Sequence, residues 1–81
     1  MGKSYLIKVQ KYGERELKVV RLFKRRWVAA ILIDGKYCQL MTRDLPVRHT
    51  EREAQIDLNV FAQKNLLLEK IEIAAQEVTH G

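Results

Sequence analysis

The chain has 81 residues, of which 47% are hydrophobic and 31% charged, and this composition fits one small globular domain over residues 1–81. A domain of this size has little interior for an enclosed catalytic cavity. We therefore expect neither an enzyme nor a small-molecule substrate. The net charge is +5, which favours polyanionic partners.

The charge is divided unevenly along the chain. Residues 1–48 contain 12 basic and 4 acidic side chains, whereas residues 49–81 contain 3 basic and 6 acidic ones. If the two halves form opposite faces of the fold, those faces carry opposite electrostatic fields.

Cysteine usage and hydropathy predict a cytoplasmic protein. Cys38 is the only cysteine, so no disulfide can form within one chain. No apolar run approaches the roughly 20 residues of a membrane-spanning helix, and the start of the chain lacks the pattern of a signal peptide. Together with His49 and His80, Cys38 supplies too few ligands for a zinc site. We expect no membrane partner, metal or cofactor.

Tyr5, Ile7 and Val9 alternate with Leu6, Lys8 and Gln10, which is the period of two of a half-buried strand, and two apolar stretches follow. The predicted strands are one that contains Tyr5, Ile7 and Val9, one at Leu17–Phe23 and one at Trp27–Ile33. A single strand through the last two would be far too long. A turn or sharp bend is therefore predicted at Lys24–Arg26.

Asp34-Gly35 is the strongest turn signal, because a type I′ turn needs two residues with positive φ. It predicts a hairpin between Trp27–Ile33 and Lys36–Met41. The predicted pairs are Ile33 with Lys36, Ile31 with Cys38, and Ala29 with Leu40. The predicted core face consists of Trp27, Ala29, Ile31, Ile33, Cys38 and Leu40.

The other face of this hairpin is more apolar than an exposed sheet surface should be. We expect the first strand, the C-terminal segment at 67–78 or a second copy of the chain to cover it. Its residues are Val28, Ala30, Leu32, Tyr37, Gln39 and Met41.

Thr50-Glu51-Arg52-Glu53 matches a capping box and predicts a helix that begins at Glu51. Ala54, Leu58, Phe61 and Ala62 recur at helical spacing, and we expect this stripe to pack on Trp27, Ala29 and Ile31. Two continuations beyond Lys64 are open. In the first, a single helix of about 28 residues continues at 1.5 Å per residue. In the second, Asn65 ends the helix, and residues 70–78 form a strand or a second helix.

Helix is the favoured interpretation of Leu67–Gln76. The predicted fold is α+β, with a three- or four-stranded antiparallel sheet packed against a C-terminal helix.

Basic residues are concentrated in the predicted sheet and its turns, and arginine predominates among them, which suits phosphate contacts. This pattern indicates nucleic-acid binding, with aromatic residues available for stacking. The alternative interpretation is a set of solvated charges at sheet edges and loops, with Trp27 in the core. The predicted nucleic-acid-binding residues are Lys24, Arg25, Arg26, Trp27, Lys36, Tyr37, Arg43 and Arg48, and Lys18 and Arg21 are further cations that could reach phosphates.

Residues 26–62 carry a family resemblance. The Trp27-led strand, the Asp34-Gly35 turn and Thr50-Glu51-Arg52-Glu53-Ala54 at the start of a helix resemble the arm-binding domains of phage and transposon integrases. They are also similar to the plant ethylene-response-factor DNA-binding domain. The resemblance implies a three-stranded sheet that packs on a helix and enters the DNA major groove.

The sequence thus predicts a small nucleic-acid-binding module whose basic sheet face and turn contact duplex DNA. The alternative is a protein-interaction or homodimerisation domain of a small phage-type or bacterial accessory protein. Its interface would be the apolar sheet face or residues 66–78.

Overall fold

The structure, a computed structural model, describes residues 2–70. Its elements are β1 (Tyr5–Val9), β2 (Gly13–Phe23), β3 (Arg26–Ile33), β4 (Lys36–Cys38), α1 (Glu51–Lys64) and β5 (Leu68–Glu69). The sheet has the strand order β4-β3-β2-β1-β5, and every neighbouring pair is antiparallel. The α+β prediction is confirmed, with five strands instead of three or four.

Alternation along β1 and β2 decides which face of the sheet is buried. Tyr5, Ile7 and Val9 are buried, as the period of two predicts. Tyr5 pairs with Leu17 of β2, so the two side chains lie on the same face. This face contains the hydrophobic core, and the helix covers it.

The Asp34-Gly35 turn sets the register of β3 and β4. Asp34 and Gly35 have φ values of 51° and 81°, which fits the predicted type I′ turn. Ile33 pairs with Lys36 and Ile31 with Cys38, so the predicted register is confirmed.

The predicted end of β4 is wrong. The strand stops at Cys38, and the pairing of Ala29 with Leu40 does not form. Leu40 was expected in the core but is 49% exposed.

The loop after β4 completes the outer edge of β3 in a different way. The Thr42 hydroxyl donates a hydrogen bond to the Ala29 carbonyl over 3.0 Å. Further along, Trp27 and Arg48 exchange two backbone hydrogen bonds of 2.8 Å. Buried backbone groups need such partners, and the loop supplies them where β4 is absent.

Helix α1 begins as its capping signal predicts. The Thr50 hydroxyl accepts a hydrogen bond from the Glu53 amide over 3.2 Å and donates one to the Glu53 carboxylate over 3.0 Å. In the expected box, the Glu53 carboxylate would instead accept from the Thr50 backbone amide. Ala54, Leu58 and Ala62 are buried against Ala29 and Ile31, with Phe61 and Trp27 partly buried beside them.

The helix ends at Lys64, so the single long helix is wrong. Leu67 N–H donates to the Ala62 carbonyl and Leu66 N–H to the Gln63 carbonyl, which is a Schellman motif. Leu66 adopts the left-handed conformation, with φ 55°.

The chain then pairs with β1 through β5. The helix expected over Leu67–Gln76 is therefore wrong at Leu68–Glu69. The remainder of that prediction, from residue 71 onward, lies outside the described residues. Within residues 2–70, no helix is sufficiently long and apolar to cross a membrane.

Candidate nucleic-acid interface

The β2–β3 hairpin extends past the part of the sheet that the helix covers. Val19 is the last buried residue of β2, and the strand is exposed from Arg21 to Phe23. At roughly 3.3 Å per residue, Phe23 lies about 13 Å beyond Val19 along the strand. The exposed end of this hairpin, residues 21–27, is the hairpin tip.

A β-bulge in the hairpin tip changes the face on which Phe23 lies. Arg21 pairs with Trp27 and Phe23 with Arg26, so Leu22 is an extra residue on β2. Without the bulge, strict alternation would put Phe23 on the helix-covered face. Since it lies opposite Arg26, Phe23 is on the helix-free face of the sheet. Its side chain is 77% exposed.

Trp27 lies on the helix-covered face of the tip and packs, half-buried, against the core. The guanidinium carbon of Arg21 is 5.9 Å from the centroid of the Trp27 ring, which is within cation–π range. Arg21 Nε also donates to the Phe23 carbonyl over 3.4 Å. These contacts favour Trp27 as a core residue that supports the tip over Trp27 as a stacking surface.

The structure brings three of the predicted cations together at the tip. Lys24 and Arg25 form the turn, Arg26 opens β3, and all three are exposed. Arg21 adds a fourth cation. Residues 17–33 contain five basic residues and no acidic one, so this hairpin carries a charge of +5, which equals the net charge of the whole chain.

Lys36 and Tyr37 lie at the opposite end of the sheet. Lys36 pairs with Ile33, and the seven steps from Arg26 to Ile33 span roughly 23 Å. Lys36 shares the face of Ile33, whereas Tyr37 is on the helix-free face. A contact surface confined to the tip therefore does not include Lys36 or Tyr37.

Arg43 and Arg48 lie in the loop beside β3. Arg43 is exposed and follows Thr42 at the middle of the strand edge. Arg48 instead binds Asp57 of the helix through Nε and a terminal nitrogen, at 2.7 and 3.2 Å. These hydrogen bonds, together with the charge of Asp57, raise the pKa of Arg48 above its ordinary value. Arg48 thus already has an anionic partner, which ties the helix to the loop.

The helix-free face is not uniformly basic. Near the tip it displays Arg26 and Lys18, whose neighbours across the strands are Phe23 and Ala30. Farther away, Glu16 lies opposite Leu6 of β1 and binds Lys70 over 3.3 Å. The unbalanced positive charge of this face therefore lies at its tip end, whereas Glu16 and Lys70 offset each other farther away.

The apolar residues of the second hairpin face, which we expect to be covered, differ in their burial. Val28 and Ala30 are buried on the helix-free face, whereas Tyr37 and Met41 are about half exposed. Strand β1 joins the sheet beside β2 and does not cover this face. A cover formed by residues 71–78 lies outside the described part of the chain.

Phe23 is the main feature that the sequence reasoning missed, with Leu22 beside it. Phe23 has the parity of Leu17 and Val19, which predicts the same face as theirs. The available signal was an aromatic residue directly before Lys24-Arg25-Arg26, where an alternating strand approaches a polar turn. The bulge itself has no sequence marker, since no glycine occurs there.

A surface cleft of about 560 Å³ lies beside the start of β1, and Lys18 and Val19 of β2 contribute to its lining. Its walls include lysines and glutamates that pair with one another, at 3.7 Å for Lys3–Glu69 and 3.3 Å for Lys70–Glu16. This cleft presents no excess of either charge. Within residues 2–70, no three His, Cys, Asp or Glu side chains cluster as a metal site requires.

No protein-family model, curated protein or solved structure matches the chain. The geometry and the charge of the hairpin tip make it the candidate site.

Proposed function

We propose that this protein binds nucleic acid, and specifically duplex DNA, through the hairpin tip. The observation that carries the proposal is the group of four cations around exposed Phe23 in a hairpin without acidic residues. Basic side chains that neutralise phosphates release the counterions of DNA, which supplies most of the affinity in non-specific binding. The proposed contacts are Arg21, Lys24, Arg25 and Arg26, and Lys36, Tyr37, Arg43 and Arg48 lie outside them.

The backbone at Arg25 places one of these cations in the turn itself. Arg25 adopts φ 54°, a left-handed conformation that glycine and asparagine adopt more readily. An arginine here gives the turn an additional cation at a cost in backbone strain.

The shape of the tip favours a duplex over a single strand. Two antiparallel strands form a ribbon, and β-ribbons bind duplex DNA in its major or its minor groove. Single-strand binders usually combine a basic groove with several aromatic platforms, whereas this hairpin exposes one strongly accessible aromatic residue, Phe23. The resemblance to integrase arm-binding domains, which stays a prediction, implies the same use of a sheet.

The double substitution Arg25→Glu with Arg26→Glu tests the proposal. It removes two phosphate contacts and adds two repulsive charges at the tip. We expect affinity for a labelled DNA duplex to fall by at least about 10-fold at 50 mM salt. Fluorescence anisotropy measures the affinity, and circular dichroism shows that the variant is folded.

The matched control is Lys11→Glu with Lys36→Glu, which changes the net charge equally. Lys11 lies in the β1–β2 turn and Lys36 in β4, both at the end of the sheet opposite the tip. This control should retain most of the affinity. Equal losses in the two variants would mean that DNA senses only the total charge, and the tip would then not be the binding site.

Two exposed leucines favour a second candidate, a protein-interaction surface. Leu66 and Leu68 are 87% and 71% exposed, and they line a groove of about 380 Å³ with Phe61 and Met41. This groove lies near β5, away from the cations of the tip. A folded protein that binds no DNA duplex at 50 mM salt would make this surface the better candidate.

A further inference from the structure

We infer that Phe23 acts as a wedge that inserts between adjacent base pairs and kinks the bound duplex. This inference rests on the proposed function and adds to it a deformation of the DNA. It follows from the exposure of Phe23, from its direction and from the charges around it.

The exposure of Phe23 is unusual because a large apolar side chain loses favourable free energy when it remains in water. The bulge places it on the helix-free face, 77% exposed, with Leu22 beside it at 49%. Within residues 2–70, the helix packs on the opposite face. Helix α1, which covers the opposite face, therefore does not bury Phe23.

The surroundings of Phe23 fit a polyanion with an apolar interior. Lys24, Arg25 and Arg26 follow it directly, and Arg21 Nε binds its carbonyl over 3.4 Å. Phosphates attract these cations, while stacked bases offer an apolar environment for the ring. DNA-bending proteins combine the same two features, basic residues at the backbone and Phe, Leu, Ile or Met between base steps.

Contacts with the core and with the helix fix the base of the tip, so the position of Phe23 is supported. Trp27 packs on the core and bonds through its backbone to Arg48, which in turn binds Asp57 of the helix. The Arg21 guanidinium lies over Trp27. A wedge on a freely moving loop would fold away instead of separating base pairs.

Energy transfer between dyes at the two ends of a short duplex tests the inference. The unmodified protein should bend the duplex by at least about 20°. It should also prefer a duplex with TA steps over an A-tract duplex of equal length, because TA steps unstack more easily. Phe23→Ala should abolish both the bend and the preference, and it should weaken binding by roughly 10-fold. Its salt dependence should not change, since no phosphate contact is lost.

Two further variants separate a wedge from other roles. Phe23→Leu should retain the bend, because leucine also serves as a wedge. Tyr12→Ala removes an exposed aromatic residue from the β1–β2 turn and should behave like the unmodified protein. If Phe23→Leu loses the bend as Phe23→Ala does, the ring stacks on bases and the wedge is overturned.

The outcomes also distinguish this inference from the proposed function. Salt-dependent binding without any bend would overturn the wedge and leave the tip as a DNA-binding site. No binding to either duplex at low salt would overturn both.

Discussion

Single side chains in the 39–49 loop determine how the open edge of β3 is closed. Thr42 is fully buried, and its hydroxyl supplies the Ala29 carbonyl with a hydrogen bond. Arg48 uses its backbone for Trp27 and its side chain for Asp57. Each residue replaces part of the strand that ends early at Cys38.

Thr42→Val tests the first of these contacts. Valine has nearly the same shape as threonine but leaves the buried Ala29 carbonyl without its donor. We expect the free energy of unfolding to fall by about 1–3 kcal/mol, the cost of an unsatisfied buried group. Urea denaturation followed by circular dichroism measures it.

Thr42→Ser provides the control, because serine retains the hydroxyl and loses one methyl group, worth about 0.8 kcal/mol. If valine were tolerated better than serine, packing at position 42 would matter more than the hydrogen bond.

At the scale of elements, helix α1 depends on one stripe for its attachment to the sheet. Leu58 is fully buried between Ala54 and Ala62, against the core residues of β3. On the polar side, Tyr5 donates to Asn59 over 2.8 Å, which satisfies the buried end of the tyrosine. Apolar packing and this hydrogen bond together orient the helix on β2 and β3.

Leu58→Ala should lower the free energy of unfolding by about 2–5 kcal/mol, because it removes buried methyl groups and leaves a cavity. Ile56→Ala is the matched control, since Ile56 lies on the same helix and is 53% exposed. Its effect should stay within about 0.5 kcal/mol. Chemical denaturation of both variants measures the difference, and similar losses would mean that the helix does not pack through Leu58.

The two ends of this helix show how much of an element its sequence predicts. Thr50 and Glu53 mark the start through a local hydrogen bond, so the sequence predicts the first residue of the helix. The end has Leu66 in a left-handed conformation, where glycine would be the usual signal. The apolar spacing continues past it, so the sequence left two continuations open. The structure confirms the one in which Asn65 ends the helix, and β5 then pairs with β1.

At the scale of the whole molecule, the positive charge is concentrated at one end of the sheet, and the helix is only slightly acidic. The helix contains three acidic and two basic residues, so it is less acidic than the C-terminal half of the sequence predicts. The excess positive charge lies between Lys18 and Arg26, toward the tip end of the sheet. This arrangement directs an approaching polyanion to the tip.

The salt dependence of DNA binding tests this arrangement. If the four proposed contacts, Arg21, Lys24, Arg25 and Arg26, each neutralise a phosphate, the log-log slope of affinity against salt should be about −3.6 on duplex DNA. Affinity should therefore fall by roughly 150-fold between 50 and 200 mM salt. Anisotropy titrations with duplex DNA, single-stranded DNA and duplex RNA measure the slope and the preferred form. A slope near −1 would contradict a contact made by the whole hairpin.

The sequence by itself determined the features that depend on neighbours a few residues apart. These are the alternation in β1, the register set by Asp34-Gly35 and the helix start at Thr50. Each involves a local hydrogen bond, a turn conformation or a periodic apolar face, and all of these can be read within a short segment.

The tertiary structure decided the features that depend on distant partners. The Ala29 carbonyl receives its donor from Thr42, 13 residues away, and β5 pairs with β1 across nearly the whole described chain. The same holds for the candidate site. The basic residues were evident in the sequence, but their separation into a tip and a far end follows from strand direction. The exposure of Phe23 follows from a bulge between β2 and β3, because only strand pairing determines which face a side chain occupies.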